Sequence, residues 1–251
     1  MKIGLVLSGG GARGFAHIGA IKALEEFGVK PNIISGTSAG AAVGALYAAG
    51  YNIDEIESIF TENSFLKFND FAWSRSGLLS TNSNEKTFRK YLHHRTIESL
   101  EIPLYIAATD IMNACLTLFS KGDIVTAILA SSAIPFLFEP IQYQDKTYID
   151  GGAINCFPIE PLLNQCDAII GVYVNSVQKT NRKLGMMEIF DRSFHLALYN
   201  EVSEKKEKCT VYIEPPELQN YSMFDFKKSK EIINIGYDYT IKQEQKLLNL
   251  K

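Results

Sequence analysis

The chain has 251 residues, enough for one α/β domain with a large core, and the whole of residues 1–251 is read as that single domain. Its hydrophobic (46%) and charged (21%) fractions are those of an ordinary globular protein, and a net charge of −3 argues against nucleic-acid binding by bulk electrostatics. No stretch approaches the ~18 apolar residues of a membrane span, the first apolar run is too short for a signal-peptide core, and the four cysteines form no C-x-x-C pair.

Residues 2–8, whose apolar residues run continuously from Ile3 to Leu7, read as a fully buried first strand. The glycine-rich stretch at 8–14 must be a loop. Helical spacing of Ile18, Ile21 and Leu24 follows over 15–27, with Gly28 as C-cap and Pro31 beyond. A second strand at 32–35 runs into Gly36-Thr37-Ser38-Ala39-Gly40, and a small-residue helix continues to about 49. Asn52 and Glu55 stand in capping-box spacing ahead of a short helix. Residues 63–79 read as an irregular, aromatic-rich loop with Phe65, Phe68, Phe71 and Trp73, packed over the body near a site mouth. Asn82 with Glu85 is expected to cap another helix, ending near His93 and His94.

Strands are expected at 104–110 and 116–120, a helix at 124–131 capped by Asp123, and a short strand at 147–149 that enters Asp150-Gly151-Gly152. A short helix at 158–163, a buried strand at 168–174 and a polar linker at 177–183 follow. One long helix is read over 186–206, with Met187, Phe190, Phe194, Ala197 and Leu198 as its apolar stripe and Lys205, Lys206 and Lys208 as a solvated end. A strand at 211–213 and a terminal helix at 229–250 complete the chain. Strands alternating with helices imply a three-layer α/β/α fold with a mostly parallel central sheet.

The chemistry centres on Gly36-Thr37-Ser38-Ala39-Gly40, a G-x-S-x-G between strand and helix, the pattern of a nucleophile elbow with Ser38 at its tip, a reading favoured over that of an ordinary turn serine. Gly9, Gly11 and Gly14 fit two patterns. One is the dinucleotide fingerprint, but strand two ends in Ser35-Gly36-Thr37-Ser38 where that motif needs an acidic residue. The other is an oxyanion hole beside Ser38, which is the favoured reading; a purely structural turn is the third. Ser38 also needs a base. His17 has the context of a packed or capping residue, His93 and His94 end a polar helix, and His195 sits inside the long helix. None follows a strand end. Asp150 does, either as the start of a β-turn or as a base whose pKa is raised by an apolar site.

These blocks together resemble the patatin-like phospholipases: Gly9-Gly10-Gly11-Ala12-Arg13-Gly14, Gly36-Thr37-Ser38-Ala39-Gly40 and Asp150-Gly151-Gly152, in that order. Ser131-Ser132-Ala133-Ile134-Pro135, Asn155 and Pro158 add to the likeness, which covers roughly residues 2 to 175. The resemblance implies a Ser-Asp dyad with no histidine: Ser38 as nucleophile, Asp150 as base, and Gly9, Gly10, Gly11, Ala12, Arg13 and Gly14 as the oxyanion hole, with Arg13 its basic member. It implies hydrolysis of acyl esters of lipids through an acyl-serine, with no metal and no cofactor. Phe136 stands where many relatives have glycine, which bears on the acyl pocket. An acyltransferase using the same serine and, less favoured, a nucleotide-binding module remain as alternatives.

The expected partner is a lipid or acyl-ester substrate, with no nucleic acid. A cytoplasmic location is expected, with peripheral contact to the inner face of a membrane through the 63–79 aromatics, Lys67 and Arg75 as the bolder reading. The helix at 186–206 or the terminal helix is a candidate homodimer surface.

Overall fold

The computed structural model describes residues 1–62, 81–93, 95–179, 181 and 183–250. The expectations for residues 63–79 and His94 lie outside the described residues, as do the side chains of Met187 and Phe190. The elements are β1 (Ile3–Leu7), α1 (Phe15–Glu26), β2 (Ile33–Thr37), α2 (Ala39–Ala48), α3 (Ile53–Glu62) and α4 (Asn82–Tyr91). They continue with β3 (Leu104–Asp110), β4 (Cys115–Phe119), α5 (Ile124–Ser131), β5 (Ile141–Tyr143), β6 (Lys146–Asp150) and β7 (Ala168–Val172). The last five are α6 (Met186–Ala197), α7 (Tyr199–Lys206), β8 (Val211–Ile213), α8 (Ser229–Ile241) and α9 (Glu244–Leu248).

The sheet is mixed and mostly parallel. β1 lies between β2 and β7, β2 continues to β3 and β7 to β8, all in parallel pairing. The antiparallel pairs, β3 with β4, β3 with β6 and β5 with β6, are confined to one side. Side-chain alternation along β1 divides the core. Ile3, Leu5 and Leu7 join a cluster with α1, α2, α5 and α8. Val6 points the other way, into a cluster with Phe157, Ile159, Leu162, Tyr173 and Val202. One sheet buried on both faces is what the continuous apolar run of β1 implied.

Strand β3 brings two distant segments together. Its Ile106 to Asp110 pair with β4 along one edge. On the other edge β2 pairs as far as Thr37 opposite Ala107, and β6 takes over with Asp150 opposite Ala108. The ends of β2 and β6 therefore meet at consecutive positions of β3, and the residues that leave them are Ser38 and Gly151.

The Asn52–Glu55 capping box forms in both directions, each backbone N–H bonding the other side chain at 2.9 Å. The second expected cap does not. At the start of α4 the Glu85 N–H bonds the Thr81 carbonyl, while the Glu85 carboxylate turns forward to Arg89 at 2.8 Å, the stronger charged partner one turn on. The helix expected at 186–206 is two, α6 and α7, because Leu198 adopts φ −94°, ψ −3° and interrupts the helical turn. The terminal helix likewise breaks between Ile241 and Glu244, and the segment expected as a helix at 158–163 is a single 3-10 turn, Glu160–Leu162. Strand β5 was not expected at all.

Candidate active site

Ser38 sits between β2 and α2 with φ 52°, ψ −120°, a conformation costing a non-glycine residue about 1–3 kcal/mol. Gly40 permits it, because a Cβ there would overlap the Leu7 carbonyl, so the turn can press against the end of β1 only without a side chain. The turn is held from outside: the Ser38 N–H donates to Ser131 Oγ (2.8 Å), whose own hydroxyl donates to the Ala107 carbonyl (2.6 Å). Thr37 Oγ1 donates to the Asn155 carbonyl at 2.9 Å. Ser38 is 5% exposed, at the positive end of α2.

Asp150 ends β6 and is equally buried. Its backbone N–H donates to the Ala133 carbonyl (2.9 Å), and its Oδ1 accepts the Gly152 N–H (2.7 Å). Burial pushes its carboxyl up to about 6, against the opposing pull of the Gly152 amide and the Ser38 hydroxyl beside it. The Ser131–Ile134 segment thus touches both partners, through Ser131 on one side and Ala133 on the other.

Two cavities meet at Ser38. One is almost wholly apolar and is walled by Phe15, Ala42, Val43, Phe88, Leu137 and Phe138 among others. The second, of about 220 Å³, brings Ser38 and Asp150 together with Gly9, Gly10, Gly11, Phe136 and His195. The glycine loop lies where the sequence put it, but its six residues are not equivalent. The Gly9 N–H donates to the Cys156 carbonyl, Ala12 N–H to Met223 and Arg13 N–H to Gly10, at 2.9–3.2 Å. Among the described residues the N–H groups of Gly10 and Gly11 have no acceptor, and these two residues line the cavity with Ser38. Gly11 also needs its φ of 56° to pass beneath Met223.

Arg13 does not face this cavity. Its buried guanidinium bonds the Tyr221 carbonyl (2.8 Å), Asn175 Oδ1 (3.2 Å) and Asp191 (2.5 Å). These partners lie 162 to 208 residues away in sequence, so no local pattern announced them. Its basic charge is committed to an ion pair with α6 instead. Lys205, expected to be solvated, is 6% exposed and bonds Asn155 Oδ1 and Glu160 Oε1 at 2.7 Å each, and Glu201 Oε1 at 2.5 Å. It fastens α7 to the segment that follows Asp150.

The histidines divide. His17 is fully buried and its Nε2 bonds the Ser8 carbonyl at 2.8 Å; burial lowers its pKa to about 4. His195, expected only inside a long helix, lines the cavity that holds Ser38 and Asp150. Its Nε2 lies 3.1 Å from Asp191 Oδ1, one turn back on the same helix, and both ring nitrogens are shielded from solvent.

The structure thus sets a serine on a strand–helix turn beside a buried aspartate in a mostly parallel α/β sheet, and comparison with known proteins says which family the chain belongs to. The chain belongs to the patatin-like phospholipase family: the profile of that family matches residues 5–163. The chain is 30% identical over 270 residues to lysophospholipase NTE1 of Kluyveromyces lactis, covering 94% of this chain and 19% of that protein. It is 29% identical to lysophospholipase NTE1 of Saccharomyces cerevisiae, covering 94% of this chain and 16% of that one. The chain therefore spans about a fifth of the length of the curated relatives it matches. The crystal structure of VipD from Legionella pneumophila shares the fold, with TM-score 0.59 and 16% identity over 99% of this chain and 67% of that one. Among the described residues no helix is long and apolar enough to cross a membrane.

Proposed function

We propose that this protein is a serine acyl hydrolase that cleaves fatty-acyl esters of phospholipids or lysophospholipids. Ser38 Oγ attacks the ester carbonyl as Asp150 takes its proton; the oxyanion is held by the N–H groups of Gly10 and Gly11. The tetrahedral adduct collapses to an acyl-serine, and Asp150 returns the proton to the leaving alcohol. Water then attacks the acyl-serine, giving its proton to Asp150, and the fatty acid leaves as Ser38 Oγ is reprotonated. No step requires a histidine.

The observation that carries this reading is the position of Ser38 at the meeting of two cavities. The apolar one suits an acyl chain, and the one containing Asp150 suits the leaving group. A pKa near 6 suits a carboxylate base working near neutral pH. That the similar yeast proteins are named lysophospholipases supports a single-chain lipid as first substrate.

Labelling with a fluorophosphonate probe tests the assignment. Wild type is expected to label, Ser38→Ala not at all, and Asp150→Asn at a rate lower by at least ~10²-fold, within the range for loss of a general base. Equal labelling of Ser38→Ala would remove Ser38 from the mechanism.

A further inference from the structure

Asn175 follows β7 by three residues and is 1% exposed. Its Nδ2 donates to the Gly9 carbonyl at 2.7 Å, and its Oδ1 accepts from Arg13 Nη1 at 3.2 Å. Chemistry fixes which way this amide points. A carbonyl oxygen can only accept and a guanidinium can only donate, so the reversed amide would face both partners wrongly. The Gly9 carbonyl takes a second bond from Ser8 Oγ (2.9 Å), which itself accepts the Val174 N–H (3.1 Å).

Two donors therefore hold one carbonyl, and that carbonyl shares a peptide plane with the Gly10 N–H. In a trans peptide the C=O and the following N–H point in opposite directions. Fixing the Gly9 oxygen toward Asn175 and Ser8 turns the Gly10 N–H the other way, where it has no acceptor among the described residues and where Gly10 lines the cavity with Ser38. Only glycine fits, since a Cβ at Gly10 would come within 2.5 Å of Val174 Cγ2 and 2.9 Å of Asn175 Oδ1. Arg13 completes the arrangement from behind, gripping Asn175 while its remaining nitrogens hold Tyr221 and Asp191.

We propose that Asn175 is a positioning residue of the oxyanion loop, fixing the Gly9–Gly10 peptide so that the Gly10 N–H faces the carbonyl carried by Ser38. This rests on the hydrolase reading above. It gives the buried Arg13–Asn175 pair a role in the transition state and none in ground-state binding.

The test uses the full chain with p-nitrophenyl octanoate as substrate and an octyl trifluoromethyl ketone as analogue of the tetrahedral adduct. Asn175→Asp keeps the acceptor for Arg13 and removes the donor to Gly9. Its kcat is expected to fall on the order of 10²-fold, the scale of one lost oxyanion donor, with KM within about threefold. Its Ki for the ketone should rise in step with the fall in kcat/KM. Ser8→Ala removes the second donor to the same carbonyl and should show the same split at smaller size, roughly tenfold. A folded Asn175→Asp with unchanged kcat, or with KM raised and kcat retained, overturns the proposal. Where Asn175→Asp does not fold, an unchanged kcat in Ser8→Ala overturns it and a selective fall in kcat supports it. A wild-type protein that neither turns over the ester nor binds the ketone overturns the hydrolase reading itself, and the positioning role with it.

Discussion

A carboxylic acid whose pKa is raised by burial from 3.8 to about 6 holds its proton more tightly in the folded chain than in the unfolded one. Between those values the folded state binds more protons, so Asp150 lowers stability progressively as pH rises through the window. Above about pH 6 the full penalty of roughly 3 kcal/mol remains, at about 1.36 kcal/mol per pKa unit. Asp150→Asn removes the charge and keeps an acceptor for the Gly152 N–H. It is expected to be more stable than wild type at pH 8, by up to ~3 kcal/mol in urea unfolding, and to lose the advantage below about pH 4. A variant less stable than wild type at pH 8 would mean that the carboxylate is not penalised by burial. In the proposed mechanism the same titration governs catalysis with the opposite preference. The ionised form is the base, so kcat/KM should rise with pH and level off above about 6. A flat profile from pH 5 to 7 would assign the base elsewhere. At this scale Ser38 and Asp150 were legible because each sits in a short contiguous motif at a strand end. The roles of Asn175 and Arg13 were not, since their hydrogen-bond partners lie on other elements.

Most elements were readable, and the misses have local causes. The β5–β6 hairpin turns at Gln144 and Asp145, with φ of 49° and 59°. That backbone needs two left-handed residues, which Asn-Gly announces and Gln-Asp does not. The break at Leu198 was hidden because the apolar period runs on across it, and the buried state of Lys205 because a lysine at a helix end is ordinarily solvated. Lys205 now yields a prediction about α7. Its ammonium satisfies Asn155, Glu160 and Glu201 at once, but both carboxylates are about two-fifths exposed and remain hydrated if it is removed. Lys205→Met should therefore cost less than an uncompensated buried charge, about 1–3 kcal/mol in urea unfolding. The loosened Asn155 segment should also slow Ser38 labelling, because the Asn155 carbonyl anchors Thr37. No change in stability would mean that the ammonium contributes nothing net at this junction.

Across the whole molecule, the fold class followed from alternating strands and helices, but the strand order did not. Nothing local says that β2 and β6 share one edge of β3, and that shared edge brings Ser38 to Asp150. The apolar cavity is still less local, with walls drawn from α1, α2, α3, α4, the stretch after α5 and the segment before α8. Its proposed use makes a size prediction. Ala42 is 4% exposed on α2 and lines this cavity one helical turn from Ser38, its N–H bonding the Ser38 carbonyl at 3.0 Å. Ala42→Phe would fill part of the space for the acyl chain along the first turn of α2, and fluorophosphonate labelling reports whether Ser38 itself stays accessible. Excluding about three methylenes at ~0.8 kcal/mol each removes ~2.4 kcal/mol of binding, on the order of 50-fold in kcat/KM for a palmitoyl ester. A butyryl ester has fewer methylenes to exclude and should lose markedly less, and fluorophosphonate labelling of Ser38 should persist. Equal losses for both esters, with labelling intact, would mean that the acyl chain lies in the cavity beside Asp150 and that the two cavities exchange their roles.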